Sequence, residues 1–184
     1  MTPIYWNQAA QELARCDSTL QNLIERYEGA ALTSRGCAFT TLARSIVGQQ
    51  ISVKAAESVW QKISAAMPAL TPNSITAAEP HTLRACGLSA RKIDYLHDLS
   101  RHFLQKSFDE NTWIRMDDQA LIDELTQVKG IGRWTAEMFL IFYMQRPDVL
   151  PLDDIGLQRA ISQHYNDNLP VSKKTMLELS KPWQ

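Results

Sequence analysis

Between Asp118 and Arg159 the chain carries, in order, two glycines one residue apart (Gly130 and Gly132), a tryptophan (Trp134) and two adjacent carboxylates (Asp153 and Asp154). Glycines spaced in this way let a backbone pass close to a partner, and the free N–H groups at the start of a following helix suit an anion such as a phosphate. The same Gly-Ile-Gly also serves as an ordinary helix C-cap and tight turn. Asp154 stands 24 positions after Gly130 (154 − 130), behind a loop stiffened by Pro147 and Pro151 and at the opening of a helix that begins Ile155-Gly156-Leu157. An aspartate there caps orphan N–H groups, and one fixed in place can also stabilise a developing positive charge; the two roles coexist. Trp134 reads either as a wall for a cationic ligand or as core at helical spacing, and for Phe139, Phe142 and Tyr143 core is the better reading.

The elements that position these residues are helices. Leu121, Leu125 and Val128 give an amphipathic helix, Lys129 to Gly132 a tight turn, and Arg133 to Met144 a second, mostly buried helix, which together form a helix-hairpin-helix over about 118–145. Upstream, helices are expected over 5–15, 18–28 (ended by Gly29) and 38–48. Ser52 caps a further helix through Ala66, with Ile51, Ala55, Val59 and Ile63 on one face. Pro80 opens a short helix ended by Gly87, Ser89 caps one from Ala90 to about Gln105, and Asp109 and Asp117 cap two more. No segment alternates over strand lengths, so the fold class is all-α. The chain reads as a single domain over 1–184 with two lobes, and the prolines at 68, 72 and 80 mark the best boundary between them.

Composition narrows the function classes. With 184 residues, 45% hydrophobic and 21% charged, the chain has the balance of a globular protein that buries its own core. The longest apolar run, Met138 to Met144, is far short of the roughly 20 residues of a membrane-spanning helix. The segment from Met1 to Arg15 interleaves Gln8, Gln11, Glu12 and Arg15 and lacks the layout of a signal peptide, which points to a cytoplasmic protein. Cys16, Cys37 and Cys86 are odd in number and scattered, which argues against disulfides and Cys-held clusters and fits small core residues. His81, His97, His102 and His164 show no metal-binding spacing. With 19 basic and 20 acidic residues the net charge is −1, so any contact with nucleic acid must be local.

Three words occur in order along the chain: Val-Gly-Gln-Gln-Ile-Ser-Val-Lys-Ala-Ala at 47–56, Gly-Leu-Ser-x-x-Lys at 87–92 and Gly-Ile-Gly-Arg-Trp-Thr-Ala-Glu at 130–137. With Asp154 they resemble the helix-hairpin-helix superfamily of DNA glycosylases, and most closely 3-methyladenine DNA glycosylase II and its alkylpurine relatives. The resemblance runs from about residue 38 to the end. It implies an all-α, two-lobed fold and a monofunctional enzyme that hydrolyses the N-glycosidic bond of alkylated purines in duplex DNA. It assigns Asp154 as the catalytic carboxylate, Gly130, Gly132 and Thr135 as the hairpin positions that hold a backbone phosphate, and Gln50 as the side chain that fills the gap left by a flipped nucleotide. Trp134 stands where lyase relatives carry a Schiff-base lysine, and Trp134 and Met138 fall at the base pocket. The carbonyls of Thr126, Val128 and Ile131 correspond to those that hold a monovalent cation such as Na⁺ or K⁺ in the superfamily. No other cofactor and no iron–sulfur cluster is implied, and the expected partner is damaged double-stranded DNA, bound by a monomer with no membrane association.

Two further expectations come from the same resemblance. The segment Ser180 to Gln184 matches the start of the family's closing segment, whose final helix would follow, so the carboxyl end is expected to be shortened and activity reduced. The rival readings are a glycosylase of the same fold for an oxidised or deaminated base, and a helix-hairpin-helix DNA-binding module without turnover.

Overall fold

The computed structural model describes residues 1–34, 36–67, 69–105 and 108–184; Pro68, which belongs to the expected boundary, lies outside the described residues. Every α or strand element among them is a helix. In chain order these are α1 (Trp6–Cys16), α2 (Ser18–Arg26), α3 (Ala38–Gly48), α4 (Val53–Ala66), α5 (Pro72–Ala77), α6 (Pro80–Ala85), α7 (Ala90–Leu104), α8 (Glu110–Trp113), α9 (Asp118–Leu125), α10 (Arg133–Phe139), α11 (Ile155–Tyr165) and α12 (Lys173–Ser180). A π-helical turn, Leu140–Met144, follows α10 directly, and a 3₁₀ turn, Lys181–Trp183, follows α12. No helix among the described residues is long and apolar enough to cross a membrane.

The chain divides into two compact units, Met1–Ser34 with Leu140–Gln184, and Arg35–Phe139. The second is built on α3, whose Ala38, Phe39, Leu42, Ala43, Ile46 and Val47 are all buried and which packs against α4, α7 and α10. An edge-to-face aromatic cluster of Phe39, Phe103, Phe108, Trp113 and Phe139, with ring centroids 5.2–6.1 Å apart, fills one end of this core. The buried Trp113 indole N–H donates to Glu124 Oε1 at 2.7 Å, so the large ring enters the interior without an orphan donor. Of the expected boundary, Pro72 and Pro80 fall inside this unit. Thr71 and Pro72 form the cap and first residue of α5, and Pro80 opens α6, so these prolines start helices that pack on α7.

In the first unit α1 packs on α2. Asp17 ties the two ends of the sequence together: its Oδ1 accepts the N–H bonds of Thr19 (2.8 Å) and Leu20 (3.0 Å), and its Oδ2 accepts from Tyr165 Oη (2.9 Å) and Trp183 Nε1 (3.0 Å). Burial raises the Asp17 pKa, but the hydrogen bonds from Leu20, Trp183, Tyr165 and Thr19 outweigh it and hold the carboxyl below its ordinary value. Burial and the bond to Asp17 push the Tyr165 hydroxyl up.

Several expectations need correction. Cys16 and Cys37 are exposed, and only Cys86 is a core residue; Cys37 sits at the N-cap of α3, where a small side chain suits the helix start. Of the expected apolar face of α4, only Ile63 is buried. The segment 133–144 is α-helical only to Phe139, then widens into the π turn, in which Phe142 is 42% exposed.

Candidate functional site

The hairpin is assembled from both sides of its turn. Asp117 caps α9 by accepting the Ala120 N–H at 2.8 Å, and α9 buries Leu121, Ile122 and Leu125. The chain then turns through Thr126, with the Ile131 N–H donating to the Val128 carbonyl at 3.0 Å, and enters α10. Val128 and Ile131 are buried and anchor the turn, whereas Lys129 and Gly132 are exposed at its tip.

The two glycines have different reasons to be glycine. Gly130 has φ +84°, and a Cβ there would lie 2.1 Å from Tyr95 Cδ2, inside the ring. Only a residue without a side chain lets the turn rest on Tyr95. At Gly132 a Cβ would meet nothing within 4 Å, so this glycine keeps an outward face open.

Three contacts reach the turn or its neighbour from distant sequence, and none was foreseen. Gln49 Nε2 donates to the Gly130 carbonyl at 2.7 Å. Asp98, 5% exposed, accepts the Lys129 N–H at 2.8 Å and pairs with Arg101. Lys92 Nζ donates to the carbonyls of Val47 (2.7 Å) and Gln49 (2.8 Å) at the end of α3, and burial lowers the pKa of its amine from the usual lysine value. Lys92 closes the second sequence word, and a lysine that caps a helix C-terminus is a known use, but nothing local identifies which helix it serves.

Gln50, Gly130, Gly132, Trp134, Thr135 and Met138, assigned separately from sequence, line one cleft of about 960 Å³ within the second unit. Lys92, Tyr95, Gln49 and Arg91 contribute to the same lining. Trp134 is 43% exposed, so it forms cleft wall and is not core. Thr135 is 5% exposed, and Met138 is half-buried beside it. Gln50 is exposed, with φ +58°. A left-handed backbone at a non-glycine residue costs about 1–3 kcal/mol and persists where the surroundings over-determine it.

Asp154 belongs to the first unit. It N-caps α11, its Oδ1 accepting the Leu157 N–H at 2.7 Å, and its own N–H donates to the Pro151 carbonyl at 3.0 Å. A Cβ on Gly156 would stand 3.0 Å from that Oδ1, so the glycine leaves room for the carboxylate. Asp153, the neighbouring carboxylate, pairs with Lys173 on the surface. The carbonyls of Thr126, Val128 and Ile131 belong to one turn, and that of Val128 accepts the Ile131 N–H within it. Among the described residues no group of three His, Cys, Asp or Glu side chains could hold a metal ion.

A known family and known proteins resemble this chain. The model of the HhH-GPD superfamily base excision DNA repair protein matches residues 43–184. The chain is 38% identical over 124 residues to DNA-3-methyladenine glycosylase 1 of Schizosaccharomyces pombe, covering 65% of this chain and 54% of that protein; it spans about half the length of such curated relatives. Among solved structures, a DNA-3-methyladenine glycosidase of Bacillus halodurans superposes with a TM-score of 0.83 at 34% identity, covering 94% of this chain and 80% of that one. The 3-methyladenine DNA glycosylase of S. pombe in complex with abasic DNA does so with a TM-score of 0.79 at 30% identity, covering 96% and 89%.

Proposed function

This chain belongs to the HhH-GPD superfamily of base excision DNA repair proteins, and from that premise we propose that it is a monofunctional DNA glycosylase for alkylated purines of the 3-methyladenine and 7-methylguanine type. The observation that carries the reading is the single cleft that gathers Gln50, Gly130, Gly132, Trp134 and Met138 beside the hairpin. The activities named for the relatives, and the abasic DNA bound by the S. pombe protein, support it, since abasic DNA is what base removal leaves.

In this reading the protein acts inside the cell, as a monomer, on duplex DNA that holds a damaged base. A glycosidic bond inside a stacked duplex is out of reach, so the nucleotide is first extruded, at a cost of roughly a few kcal/mol that is least for a damaged base. The open face of Gly132 lets the hairpin lie against a backbone phosphate, and Thr135 lines the same cleft. Gln50 fills the vacated position in the stack. The Trp134 indole lines the base pocket, where its face attracts a cationic alkylated base by about 0.5–2 kcal/mol.

Cleavage builds positive charge on the sugar. Asp154 supplies the carboxylate that stabilises this oxocarbenium and orients the attacking water, by the logic sugar hydrolases use. Its role as N-cap holds it in one orientation. A cationic base departs as a neutral molecule, so no protein acid is required to protonate it. A monovalent cation on the carbonyls of Thr126, Val128 and Ile131 would brace the turn and takes no part in the chemistry.

The test is incubation with methylated duplex and identification of the released bases. Wild-type protein releases 3-methyladenine or 7-methylguanine. Asp154→Asn, which keeps the cap because asparagine caps as well as aspartate, binds damaged duplex but releases no base. Release by the mutant at the wild-type rate rejects the role of Asp154. Release of oxidised or deaminated bases only, or binding without release by the wild type, rejects the alkylpurine reading.

A further inference from the structure

We propose that Lys92 is a positioning residue that holds Gln50 in the backbone conformation from which it enters the stack. The proposal rests on the reading of Gln50 as the side chain that replaces a flipped nucleotide, and it adds the device that stiffens that side chain.

Gln50 follows the C-terminus of α3, where carbonyl groups lack helical partners. Lys92, on the first turn of α7, donates to two of these carbonyls, those of Val47 and Gln49, at 2.7 and 2.8 Å. Gln49 is held a second time, through its side chain, on the Gly130 carbonyl of the hairpin turn at 2.7 Å. On the other side of Gln50, Ser52 caps α4 by accepting the Ala55 N–H at 3.2 Å. The exposed Gln50 therefore sits between two fixed points, with a positive φ that a free loop would relax. Rotation of that one residue redirects its side chain, and the bonds to the Gln49 carbonyl before it together with the α4 cap after it restrict that rotation.

A side chain that must displace a stacked base works only if it does not yield itself, and binding is favoured when the competent conformation is already populated. Gln49 also links the Gln50 loop to the hairpin, its side chain bonding Gly130 81 positions away, while Lys92 ties the same loop to α7, 45 positions from Val47. This couples the grip on the strand to the element that enters the stack.

The experiment uses the full chain and a duplex with a tetrahydrofuran abasic analogue next to 2-aminopurine, whose fluorescence rises when its stacking is lost. This readout needs no turnover, so it separates stack insertion from catalysis. Wild-type protein raises the signal, and Gln50→Ala reduces the rise. Lys92→Met is expected to fall by about tenfold in the population that unstacks the probe, with affinity for intact duplex retained. In the Gln50→Ala background the same Lys92→Met change is expected to alter the signal by less than about twofold, since Lys92 acts through Gln50.

Additive losses in the double variant would overturn the proposal, because they would make Lys92 a direct DNA contact. An unchanged signal in Lys92→Met beside an impaired Gln50→Ala would overturn it as well. If Gln50→Ala behaves as wild type, the reading of Gln50 fails and takes the proposal with it, and if wild type binds without raising the signal, the glycosylase reading itself fails. Should Lys92→Met not give a native circular dichroism spectrum, Lys92→Gln carries the same comparison.

Discussion

Replacing Gly130 by alanine tests whether the hairpin owes its shape to Tyr95. The native φ of +84° strains any residue with a Cβ, by about 1–2 kcal/mol. The new carbon would stand 2.1, 2.4 and 2.6 Å from Cδ2, Cε2 and Cγ of Tyr95, so the ring must move. Overpacking of this kind costs about 1–3 kcal/mol. Together these make Gly130→Ala less stable by about 2–5 kcal/mol, which for a chain of this size lowers the melting temperature by roughly 4–20 °C. Gly132→Ala, two residues away, meets open space and should alter stability by no more than about 0.5 kcal/mol. The assay is thermal unfolding followed by circular dichroism, with Tyr95→Ala added to close a double-mutant cycle. Gly130→Ala should lose part of its cost in the Tyr95→Ala background, with a coupling of about 1–3 kcal/mol, while the backbone strain remains. The binding readout inverts the pair: Gly132→Asp should fold normally yet weaken binding to every duplex alike by about tenfold, as expected for loss of one charge-assisted phosphate contact of roughly 1.5 kcal/mol. A Gly130→Ala protein that melts with the wild type, or a Gly132→Asp protein that binds like it, would refute the reasoning.

Borohydride should trap no covalent complex with DNA, because Trp134 offers no amine and Lys92 Nζ in the cleft wall is engaged by two carbonyls; an adduct that disappears in Lys92→Met would reverse that conclusion and name the nucleophile. Asp17 supplies a pH test. Its folded pKa lies below the unfolded value, so its contribution is complete above about pH 4 and is lost as pH falls through the lowered folded value. Asp17→Asn, whose amide nitrogen cannot accept from Tyr165 and Trp183, should cost about 1–2 kcal/mol near neutrality and should melt with a shallower loss than wild type on acidification below pH 4. Melting curves that stay parallel across that range would show that the Asp17 carboxylate does not act in this way.

Much of the fold is legible in local signals. Ala38–Gly48 has its expected ends with an apolar face that is buried, and Val53–Ala66 starts where the Ser52 cap places it. α5 was missed: Pro72 reads as a break, yet behind Thr71 it occupies a helix's first position, where a missing N–H costs nothing. α12, capped by Ser172, was also missed, and no residue type marks where α10 gives way to the π turn. At the site, Gly130, Gly132 and Trp134 lie in one short word and Met138 directly follows it, so their gathering in one cleft has a local signal. The contacts of Gln49, Lys92 and Asp98 have none, since their partners stand 81, 45 and 31 positions away and no helical or turn period reports contacts of that range.

The division of the chain sets an order of assembly during synthesis. Residues 35–139 form one continuous unit, whereas its companion is split into Met1–Ser34 and Leu140–Gln184. As the polypeptide leaves the ribosome, everything needed for the cleft and the hairpin has emerged by residue 139, and that unit can condense while the leading segment still waits for its complement. Asp154 is translated only afterwards, so the part of the protein assigned to hold the strand can mature before the part assigned to break the bond exists.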